Sequence, residues 1–311
     1  MNSKVMLLNE FPELYEEGII LFDEPMSQHC TFRIGGTVDA YCIPKSIFQI
    51  ASLVCFAIDK EIPFIILGRG SNILVSDNGL RGMVISTQAL QGVIVFGDCI
   101  YAECGVELKD LSSLAMQHSL SGLEFACGIP GSVGGAVYMN AGAYEGEISQ
   151  VLQSSIALVT EPSHSAFPLY TKKISAPEHG FGYRYSTFQS SNLIHLSSVF
   201  CLKSAAVHDV ESKMQSYQQQ RESKQPLNLP SAGSVFKRPQ GSFTGKLIDE
   251  CGLRGFSIGA AMISEVHCGF IVNTGGATAH DVMMLIRHVQ ESVFKLHKVL
   301  LEPEIRLLGE M

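Results

Sequence analysis

The sequence predicts an α+β protein built from two or three folded units. The chain has 311 residues, more than a single hydrophobic core usually serves. With 46% hydrophobic and 17% charged residues, its composition is that of a globular protein. Strand-like and helix-like segments both occur, and after about residue 206 they mix in the manner of a separate α+β lobe.

Charge and apolar patterning disfavour several classes of function. The formal net charge of −8 argues against general nucleic-acid binding, which requires clustered Lys and Arg. No apolar segment reaches the ~20 residues of a membrane span. Residues 1–10 also lack the pattern of a signal peptide. We therefore expect a cytoplasmic protein with no membrane span and no nucleic-acid partner.

The nine cysteines indicate neither a disulfide framework nor a metal site. No C-x-x-C pair occurs, and the closest two, Cys99 and Cys104, have no second pair to complete a zinc site. An odd count suits reduced thiols in a cytosol, and free cysteines are commonly buried. We expect apolar structural thiols and no metal.

Hydrophobic spacing and turn residues predict the elements before residue 206. Ser46 begins a helix with Gln49 as its capping-box partner, and a second helix is predicted over 109–118. The apolar positions of the first helix are Ile47, Ile50, Val54, Ala57 and Ile58. Strands are predicted over 40–44, 62–67, 82–86, 92–96 and 99–103, and residues 150–204 alternate short strand-like runs with turns.

The chain changes character at about residue 206. Residues 207–221 are polar, Gln-rich and helix-prone. Thr278 and Asp281 form a capping-box signature for a further helix. The apolar face of that helix consists of Val282, Leu285, Ile286, Val289 and Val293. Strand-like segments are 257–263, 269–273 and 300–308.

Two glycine-rich segments are the strongest indication of function. Residues 128–144 contain five glycines among small residues, and residues 68–72 follow the apolar run 62–67. Because glycine lacks Cβ, its backbone N–H can approach an anion closely. Either segment alone is explained equally well as a tight turn. Together they favour a ligand that contains a pyrophosphate.

The common nucleotide-binding motifs do not describe these segments. Gly68 and Gly70 begin like the G-x-G-x-x-G fingerprint, but Ile73 occupies the third glycine position and no clear amphipathic helix follows. The Walker pattern is absent as well. A Rossmann fold is therefore not expected, and the segments belong to another phosphate-binding scaffold.

Three side chains are candidates for chemistry, and each also has a structural interpretation. Ser234 lies on a turn of small residues, three positions before Lys237. It is either a structural turn serine or a proton donor to a developing carbanion. Arg184 lies among aromatic residues, where it either packs on a ring or clamps a carboxylate or phosphate. Glu304 is equally suited to a surface ion pair with Arg306.

Taken together, these segments resemble one family, the UDP-N-acetylenolpyruvoylglucosamine reductases (MurB). The resemblance runs from Thr31 to Arg306 in the family's order. The matching segments are 31–36, 68–72, 122–125, 128–131, 139–144, 182–184, 225–227, 231–237, 245–249, 270–273 and 301–304. So many segments in register are far more specific than any one of them.

The resemblance implies an α+β fold with a PCMH-type (vanillyl-alcohol-oxidase-like) FAD-binding region of two lobes and a C-terminal α+β substrate-binding domain. The expected parts are an N-terminal segment over 1–30, the FAD-binding region over 31–204 with lobes of about 31–90 and 91–204, the substrate-binding domain over 205–299, and a C-terminal strand over 300–311 that carries Glu304. The short run after Arg184 implies the subclass without a substrate-capping insertion, type II.

The resemblance also implies an enzyme, a UDP-N-acetylmuramate dehydrogenase of peptidoglycan precursor synthesis. NADPH would reduce non-covalent FAD, and flavin N5 would pass a hydride to UDP-N-acetylglucosamine enolpyruvate to give UDP-N-acetylmuramate. Arg184 and Glu304 would stabilise the enolate-like state, and Ser234 would donate the proton. We expect a monomer.

Further site residues are carried over from the family. FAD would contact Arg33, Gly68, Arg69, Gly70, Ser71, Asn72, Ile73, Gly128, Ile129, Gly131, Ser132, Gly134 and Gly135. The substrate would contact Tyr183, Lys224, Gln225 and Lys237. The positions that depart from the common family pattern are Cys30, Arg69, Arg238 and Val266. None of these is a catalytic candidate, so an active enzyme is still expected.

Two other functions remain open from the sequence. An FAD-dependent alcohol or sugar oxidase could use the same scaffold, although residues 68–72 contain no histidine or cysteine to tether a flavin. A nucleotide-sugar-binding protein that has lost its flavin would be colourless, whereas the reductase would be yellow.

Overall fold

The structure is a computed structural model that describes residues 3–160 and 169–311. In these residues the helices are α1 (Ser3–Glu10), α2 (Pro12–Glu16), α3 (Ile47–Asp59), α4 (Leu108–Gln117), α5 (Val133–Met139), α6 (Val207–Lys224), α7 (Thr244–Glu250) and α8 (Ala279–His297). Short 3₁₀ turns occur at Met26–Gln28, Glu124–Ala126, Ile148–Gln150, Ala176–His179 and Thr187–Gln189.

The described residues form 19 strands, none longer than nine residues. They are β1 (Ile20–Pro25), β2 (Thr37–Cys42), β3 (Phe64–Leu67), β4 (Ile73–Val75), β5 (Leu80–Ser86), β6 (Val93–Phe96), β7 (Cys99–Glu103), β8 (Leu120–Ser121), β9 (Gly142–Ala143), β10 (Gly146–Glu147), β11 (Leu152–Val159), β12 (Tyr170–Ser175), β13 (Leu193–Cys201), β14 (Lys203–Ser204), β15 (Ser231–Ser234), β16 (Ser257–Ile258), β17 (Ala261–Ile263), β18 (Phe270–Asn273) and β19 (Arg306–Leu308).

The chain divides into two compact units. The first comprises Met1–Leu21, Ala40–Arg69 and Gly82–Arg221, and the second comprises Phe22–Asp39, Gly70–Arg81 and Glu222–Met311. The mixture of helices and strands confirms the predicted α+β class. None of the helices in the described ranges combines the length and apolar content that a membrane span needs.

A four-stranded sheet has the order β1-β2-β5-β3, and β3 pairs in parallel with β5. Helix α3 leads into β3, and its N-terminus confirms the cap at Ser46, whose Oγ accepts from Gln49 N at 3.2 Å. The reciprocal bond is displaced by one residue, because Gln49 Oε1 accepts from Lys45 N at 2.7 Å. The predicted apolar face is wrong at Ile58, which is 37% exposed.

A five-stranded antiparallel sheet of order β12-β11-β13-β7-β6 forms the larger core of the first unit. Buried side chains of β7 and β13, such as Ile100 and Phe200, belong to the same hydrophobic cluster as Leu111 of α4 and Val137 of α5. Helix α5 lies inside the second glycine-rich segment, where the sequence indicated only a loop. Tertiary packing therefore overrides the low helix propensity of its two glycines.

The prediction that every cysteine is reduced is wrong for Cys99 and Cys201. These residues lie directly opposite each other on β7 and β13 and form a disulfide. Strand pairing joins positions 102 residues apart, which no short cysteine spacing can indicate. Burial raises the pKa values of Cys42 and Cys104 to about 12, so these two thiols are unreactive.

The second unit contains a four-stranded sheet of order β15-β18-β17-β16. Helix α8 packs on this sheet with its predicted apolar face buried: Val282, Leu285, Ile286, Val289 and Val293. The Thr278–Asp281 capping box is confirmed. Asp77 supplies a second cap, because its carboxylate accepts from the N–H groups of Ala279 and His280 at 2.7 and 3.0 Å.

The C-terminal strand is shorter than the sequence predicted. Only Arg306–Leu308 forms a strand, β19, which pairs in parallel with β4. Pro303 makes a single bridge with Phe236, and Glu304 lies between that bridge and β19. Proline has no N–H to donate, which explains why a continuous ladder does not extend from residue 300.

Candidate active site

The first glycine segment begins where β3 ends, and it meets the second segment at Ser132. A Cβ on Gly68 would collide with the Ser132 hydroxyl, so any other residue here would have to displace the hydroxyl that caps α5. The backbone N–H groups from Gly68 to Ser71 donate to no other group in the described part of the chain. Consecutive unbonded amides of this kind are suited to bind an anion.

The second glycine segment offers fewer donors than its composition suggested. Ser132 caps α5, with Gly135 N donating to its Oγ at 3.4 Å. The next two amides, of Val133 and Gly134, donate to the carbonyl oxygens of Val106 and Cys104, both at 2.8 Å. Of the residues assigned to cofactor binding here, Ile129 and Gly131 also have intrachain acceptors. Within the described residues, the amides of Gly128 and Ser132 have none.

Close packing accounts for part of this glycine density. A Cβ on Gly134 would lie 3.0 Å from the Cβ of Cys104 and 3.4 Å from His195 Nδ1. Gly135, by contrast, has ordinary space, with Ser132 Oγ 3.6 Å from the position of its missing Cβ. Gly134 thus allows α5 to approach the sheet, and the sequence alone could not separate this role from anion binding.

Arg69, which departs from the family pattern, has a carboxylate partner in the same unit. Its Nη1 contacts Glu107 Oε1, and Glu107 also pairs with Lys109 at 3.1 Å. Arg69 is therefore oriented along the edge of the first glycine segment. The exposed setting makes this pair a minor contribution to stability, of ~1 kcal/mol or less.

Arg221 is a cation beside the second glycine segment that the sequence reasoning missed. A Cβ on Gly128 would lie 2.9 Å from Arg221 Cδ and 3.6 Å from its Nη1. The guanidinium is half-buried, and it has no carboxylate partner among the described residues. Desolvation lowers its pKa, opposed by the nearby Tyr144 and Cys127. The only sequence signal was an arginine in the last turn of a polar helix.

Arg184 occupies the tip of a tight turn in the first unit. Its backbone is left-handed, with φ of 55°. The guanidinium carbon lies 5.0 Å from the ring centroid of Tyr183, whose side chain is 54% exposed. Nη2 lies 3.5 Å from the carbonyl oxygen of Gly142, at the long limit of a hydrogen bond.

Ser234 and Glu304 are brought together in the second unit. The segment after Ser234 lies beside the segment that ends at Glu304: Glu304 N donates to Val235 O at 2.7 Å, and Lys237 N donates to Glu302 O at 2.8 Å. These main-chain bonds place two residues that are far apart in sequence on neighbouring stretches of chain.

Asn72, from the first glycine segment, is connected to Glu304. Its Nδ2 donates to Glu304 O at 3.2 Å, and its own carbonyl oxygen accepts from Arg306 N at 2.9 Å. Gly70, two residues before Asn72, is also held in place, because its carbonyl oxygen accepts from Thr31 N at 3.1 Å. Ile73 begins β4 opposite Arg306. The part of the glycine segment in the second unit therefore adjoins Glu304.

The hydroxyl of Ser234 lies next to Gly269 and His267. A Cβ on Gly269 would be 3.4 Å from Ser234 Oγ and 3.0 Å from His267 Nδ1. His267 Nδ1 accepts from Gly269 N at 3.0 Å, so its proton resides on Nε2 when the ring is neutral. Desolvation lowers the pKa of His267, which favours that neutral form.

The residues predicted to contact the substrate lie in several different elements of the chain. Lys237 Nζ pairs with Glu302 at 3.0 Å, and both side chains are exposed. Lys224 is the last residue of α6, and Gln225 begins a turn in which its carbonyl oxygen accepts from Leu227 N at 2.9 Å. Arg33, which was predicted to contact FAD, is exposed and left-handed, with φ of 56°.

The other departures from the family pattern have local explanations. Cys30 is buried, and its Sγ donates to Ile34 O at 3.3 Å. Arg238 packs its guanidinium carbon 4.0 Å from the ring centroid of Phe243, in a cation–π contact. Val266 is 51% exposed. Among the residues that the structure describes, no cluster of three His, Cys, Asp or Glu side chains could hold a metal ion.

Two known protein families match parts of this chain. A family profile described as FAD binding domain matches residues 38–160. A second profile, described as UDP-N-acetylenolpyruvoylglucosamine reductase, C-terminal domain, matches residues 225–308. The chain is therefore an FAD-binding oxidoreductase.

Full-length relatives specify the family. The UDP-N-acetylenolpyruvoylglucosamine reductase of Clostridium beijerinckii is 45% identical over 302 residues, which cover 97% of each chain. That of Caldanaerobacter subterraneus is 42% identical over 305 residues, covering 98% of this chain and 99% of the relative. The crystal structure of the Thermus caldophilus reductase is 32% identical, covers 93% of this chain and 98% of its own, and superposes with a TM-score of 0.78. The chain belongs to the UDP-N-acetylenolpyruvoylglucosamine reductase family.

Proposed function

We propose that this protein is a UDP-N-acetylmuramate dehydrogenase that uses NADPH to reduce UDP-N-acetylglucosamine enolpyruvate to UDP-N-acetylmuramate. The observation that carries the proposal is the pairing of the Ser234 and Glu304 segments, with Asn72 of the first glycine segment bonded to Glu304. These backbone bonds support the proposal, because they connect the segments that carry the Ser234 hydroxyl and the Glu304 carboxyl to part of a segment suited to a pyrophosphate.

The residues present fit an FAD pyrophosphate. The amides from Gly68 to Ser71 have no intrachain acceptor among the described residues, and the amides of Gly128 and Ser132 add two more donors. Arg221 would supply positive charge near Gly128. When bound, FAD would accept a hydride from NADPH and supply it to the enolpyruvyl double bond.

Arg184 would bind the carboxylate of the enolpyruvyl group and stabilise the negative charge that develops there. A planar guanidinium can donate two parallel hydrogen bonds to a carboxylate, and fixed positive charge is most effective where charge increases during the reaction. The left-handed turn at Arg184 supports this role, because strained backbone is concentrated at functional sites.

Ser234 would donate the proton that completes the reduction. Serine is a weak acid, so it can protonate only a strongly basic carbon and must be held close to it. His267 is the neighbouring polar side chain on the same side of Gly269, and its neutral form carries a proton on Nε2. Glu304 would have to carry a proton, or act through a bonded donor, because a bare carboxylate would repel the enolate.

The loop-lacking subclass, type II, also stays a proposal. Between Arg184 and β13 the structure has only one short element, the 3₁₀ turn Thr187–Gln189. A substrate-capping insertion at this point would need a longer segment. The substrate of this protein would then be covered by residues elsewhere in the chain.

We further propose that the protein is a monomer and that it is located in the cytoplasm.

A two-step experiment tests the proposed function. Purified protein should be yellow with flavin absorbance, and NADPH oxidation should accelerate on addition of the enolpyruvyl nucleotide under anaerobic conditions. Colourless protein that FAD does not reconstitute would leave only nucleotide-sugar binding. Rapid oxygen consumption with a simple sugar or alcohol, without any response to the enolpyruvyl nucleotide, would instead identify an oxidase.

A further inference from the structure

The turn that carries Arg184 is held in a conformation that an arginine does not prefer. The N–H groups of Gly182 and Tyr185 donate to each other's carbonyl oxygens at 3.1 and 3.2 Å and close a two-residue turn. Arg184 adopts the left-handed region in this turn, which is unfavourable for a residue with a Cβ. Such a conformation persists when surrounding groups determine it.

Gln189 binds the backbone of Arg184 directly. Its Nε2 donates to Arg184 O at 2.9 Å and to Tyr138 O at 2.8 Å. One amide side chain therefore bridges the turn and the C-terminal end of α5. These two acceptors are main-chain carbonyls, so the bridge determines where the Arg184 backbone lies.

Asn140 holds the other side of the turn. Its side chain is only 1% exposed, and it ends α5 in the left-handed region with φ of 43°. Nδ2 donates to Gly182 O at 3.1 Å, and Oδ1 accepts from Ser149 N at 3.0 Å. Both polar ends of this buried amide are thus bonded. Asparagine is also among the residues that tolerate a left-handed backbone best.

Helix α5 connects this turn to the second glycine segment. Ser186, which is fully buried, adds a third bond from the turn to the helix, with Oγ donating to Tyr138 O at 2.9 Å. Carbonyls in the last turn of a helix lack intrahelical partners, and here Ser186 and Gln189 satisfy the carbonyl of Tyr138. The seven-residue helix is ~10 Å long and begins at the capping residue Ser132.

We propose that Asn140 and Gln189 are positioning residues that fix the Arg184 guanidinium for its role in the reaction. The proposal rests on the proposed function, and it assigns both residues an effect through Arg184 only. A charge that is fixed before the reaction costs no reorganisation when charge develops. Displacing such a group by 1 Å can reduce the rate by ~100-fold.

Gln189→Met and Asn140→Asp test this role. Methionine keeps the length of Gln189 but removes its two donors, and aspartate keeps the Ser149 bond while placing an oxygen opposite Gly182 O. Both variants should slow substrate-dependent reoxidation of the flavin by ~10–100-fold. Flavin content and reduction by NADPH should change less than about twofold. Asn140→Asp should recover at low pH, where the protonated carboxyl again donates.

The matched control is Gln91→Met. Gln91 also bridges two main-chain carbonyls, of Gln88 and Gly105, at 2.7 and 2.9 Å, away from the Arg184 turn. Its replacement likewise removes two amide-to-carbonyl bonds and should leave reoxidation unchanged. A second control is the double variant Arg184→Ala with Gln189→Met. Because Gln189 acts through Arg184, adding its replacement should slow reoxidation by less than about twofold. Independent, multiplicative losses would overturn the proposal.

Hydrogen exchange distinguishes failure of this proposal from failure of the proposed function. In the absence of substrate, exchange at the Gly182 and Tyr185 amides should accelerate in Gln189→Met and Asn140→Asp, while α5 amides stay protected. Unchanged exchange in the turn would refute the positioning role whatever the activity. If exchange responds but the unmodified protein does not react with the enolpyruvyl nucleotide, the proposed function fails and the structural link to Arg184 stands.

Discussion

Individual residues illustrate how far sequence reasoning extends. Ser234, Arg184 and Glu304 were each ambiguous on local grounds and gained roles only through a family resemblance. The structure adds the main-chain pairing of the Ser234 and Glu304 segments and the left-handed backbone of Arg184. Neither is encoded within a few residues. The catalytic roles themselves stay predictions, and two substitutions test them.

Ser234→Ala should separate the two halves of the reaction. Removing the hydroxyl leaves the predicted cofactor contacts untouched, so reduction by NADPH should remain nearly normal. Reoxidation by the enolpyruvyl nucleotide should slow by ~100-fold or more, because the carbon loses its proton donor. Stopped-flow absorbance of the flavin measures both steps. Equal losses in the two steps would mean that Ser234 has only a structural role.

Arg184→Lys should not be conservative. Lysine preserves the charge but replaces a planar fork with a single ammonium, so it cannot donate two parallel bonds to the carboxylate. We expect turnover with the enolpyruvyl nucleotide to fall by ~10–1,000-fold, while flavin content stays constant. Turnover within twofold of the unmodified protein would contradict the clamp.

Secondary-structure elements divide into those with local signals and those without. The caps at Ser46 and Thr278 were predictable, because a hydroxyl and the first helical turn lie within four residues. Helix α5 was not predicted, since its glycines disfavour a helix until it packs on the sheet. The Cys99–Cys201 disulfide was also missed, because it depends on the register between two strands that are distant in sequence. Both features therefore depend on tertiary structure.

The paired glycines of α5 should respond differently to alanine. Gly134→Ala puts a methyl group 3.0 Å from Cys104 Cβ and should destabilise the protein by ~1–3 kcal/mol. Gly135→Ala has space and gains helix propensity, so the free energy of unfolding should stay constant or rise by up to ~1 kcal/mol. Denaturant unfolding of the flavin-free protein measures both. The opposite order would refute the packing role assigned to Gly134.

A buried chain of hydrogen bonds joins His195 of β13 to His179 of the 3₁₀ turn Ala176–His179. His179 Nδ1 donates to Ser175 O at 2.8 Å, which leaves Nε2 to accept from Ser155. Ser155 then accepts from Ser198, and Ser198 accepts from His195 Nε2, at 2.8 and 2.7 Å. His195 Nδ1 is consequently a buried acceptor without a partner in the described residues. The Ser175 carbonyl thus determines the tautomer of both rings.

This chain predicts a loss of stability in acid. Burial lowers the pKa of His195 to about 3, whereas an unfolded histidine titrates near its ordinary value of 6.5. As the pH falls from 6.5 towards 3, the unfolded state binds a proton that the folded state does not, so the free energy of unfolding decreases. The slope should reach ~1.4 kcal/mol per pH unit from His195.

Denaturant unfolding between pH 7 and pH 5 measures that slope. His195→Gln, which keeps a donor for Ser198, should flatten it. His208→Gln, at an exposed position of α6, is the control and should leave it unchanged. A slope that does not change in His195→Gln would show that another group is responsible for the pH dependence.

At the scale of the whole molecule, the α+β class and the family were predictable from the sequence, because many motifs occur in one order. The expected domain boundaries stay a prediction. What the sequence could not supply is the division of donors between the glycine segments. Within the residues that the structure describes, the amides from Gly68 to Ser71 have no acceptor, whereas those of Val133 and Gly134 donate to other groups of the chain. Glycine content alone cannot separate ligand binding from packing.

The pyrophosphate interpretation predicts which ligands stabilise the flavin-free protein. FAD at 100 times its dissociation constant should raise the free energy of unfolding by ~2.7 kcal/mol. Riboflavin, which has the same ring system but no pyrophosphate, should give a much smaller shift at the same concentration. Thermal unfolding with each ligand measures the difference. Equal shifts would show that the ring, not the phosphates, provides the binding energy.

One anaerobic titration tests the proposed reductase activity most directly. Reduction of the bound flavin with one equivalent of NADPH should abolish its visible absorbance. One equivalent of the enolpyruvyl nucleotide should then restore that absorbance and yield UDP-N-acetylmuramate. Flavin that stays reduced with the nucleotide and recovers only when oxygen is admitted would contradict the proposed activity.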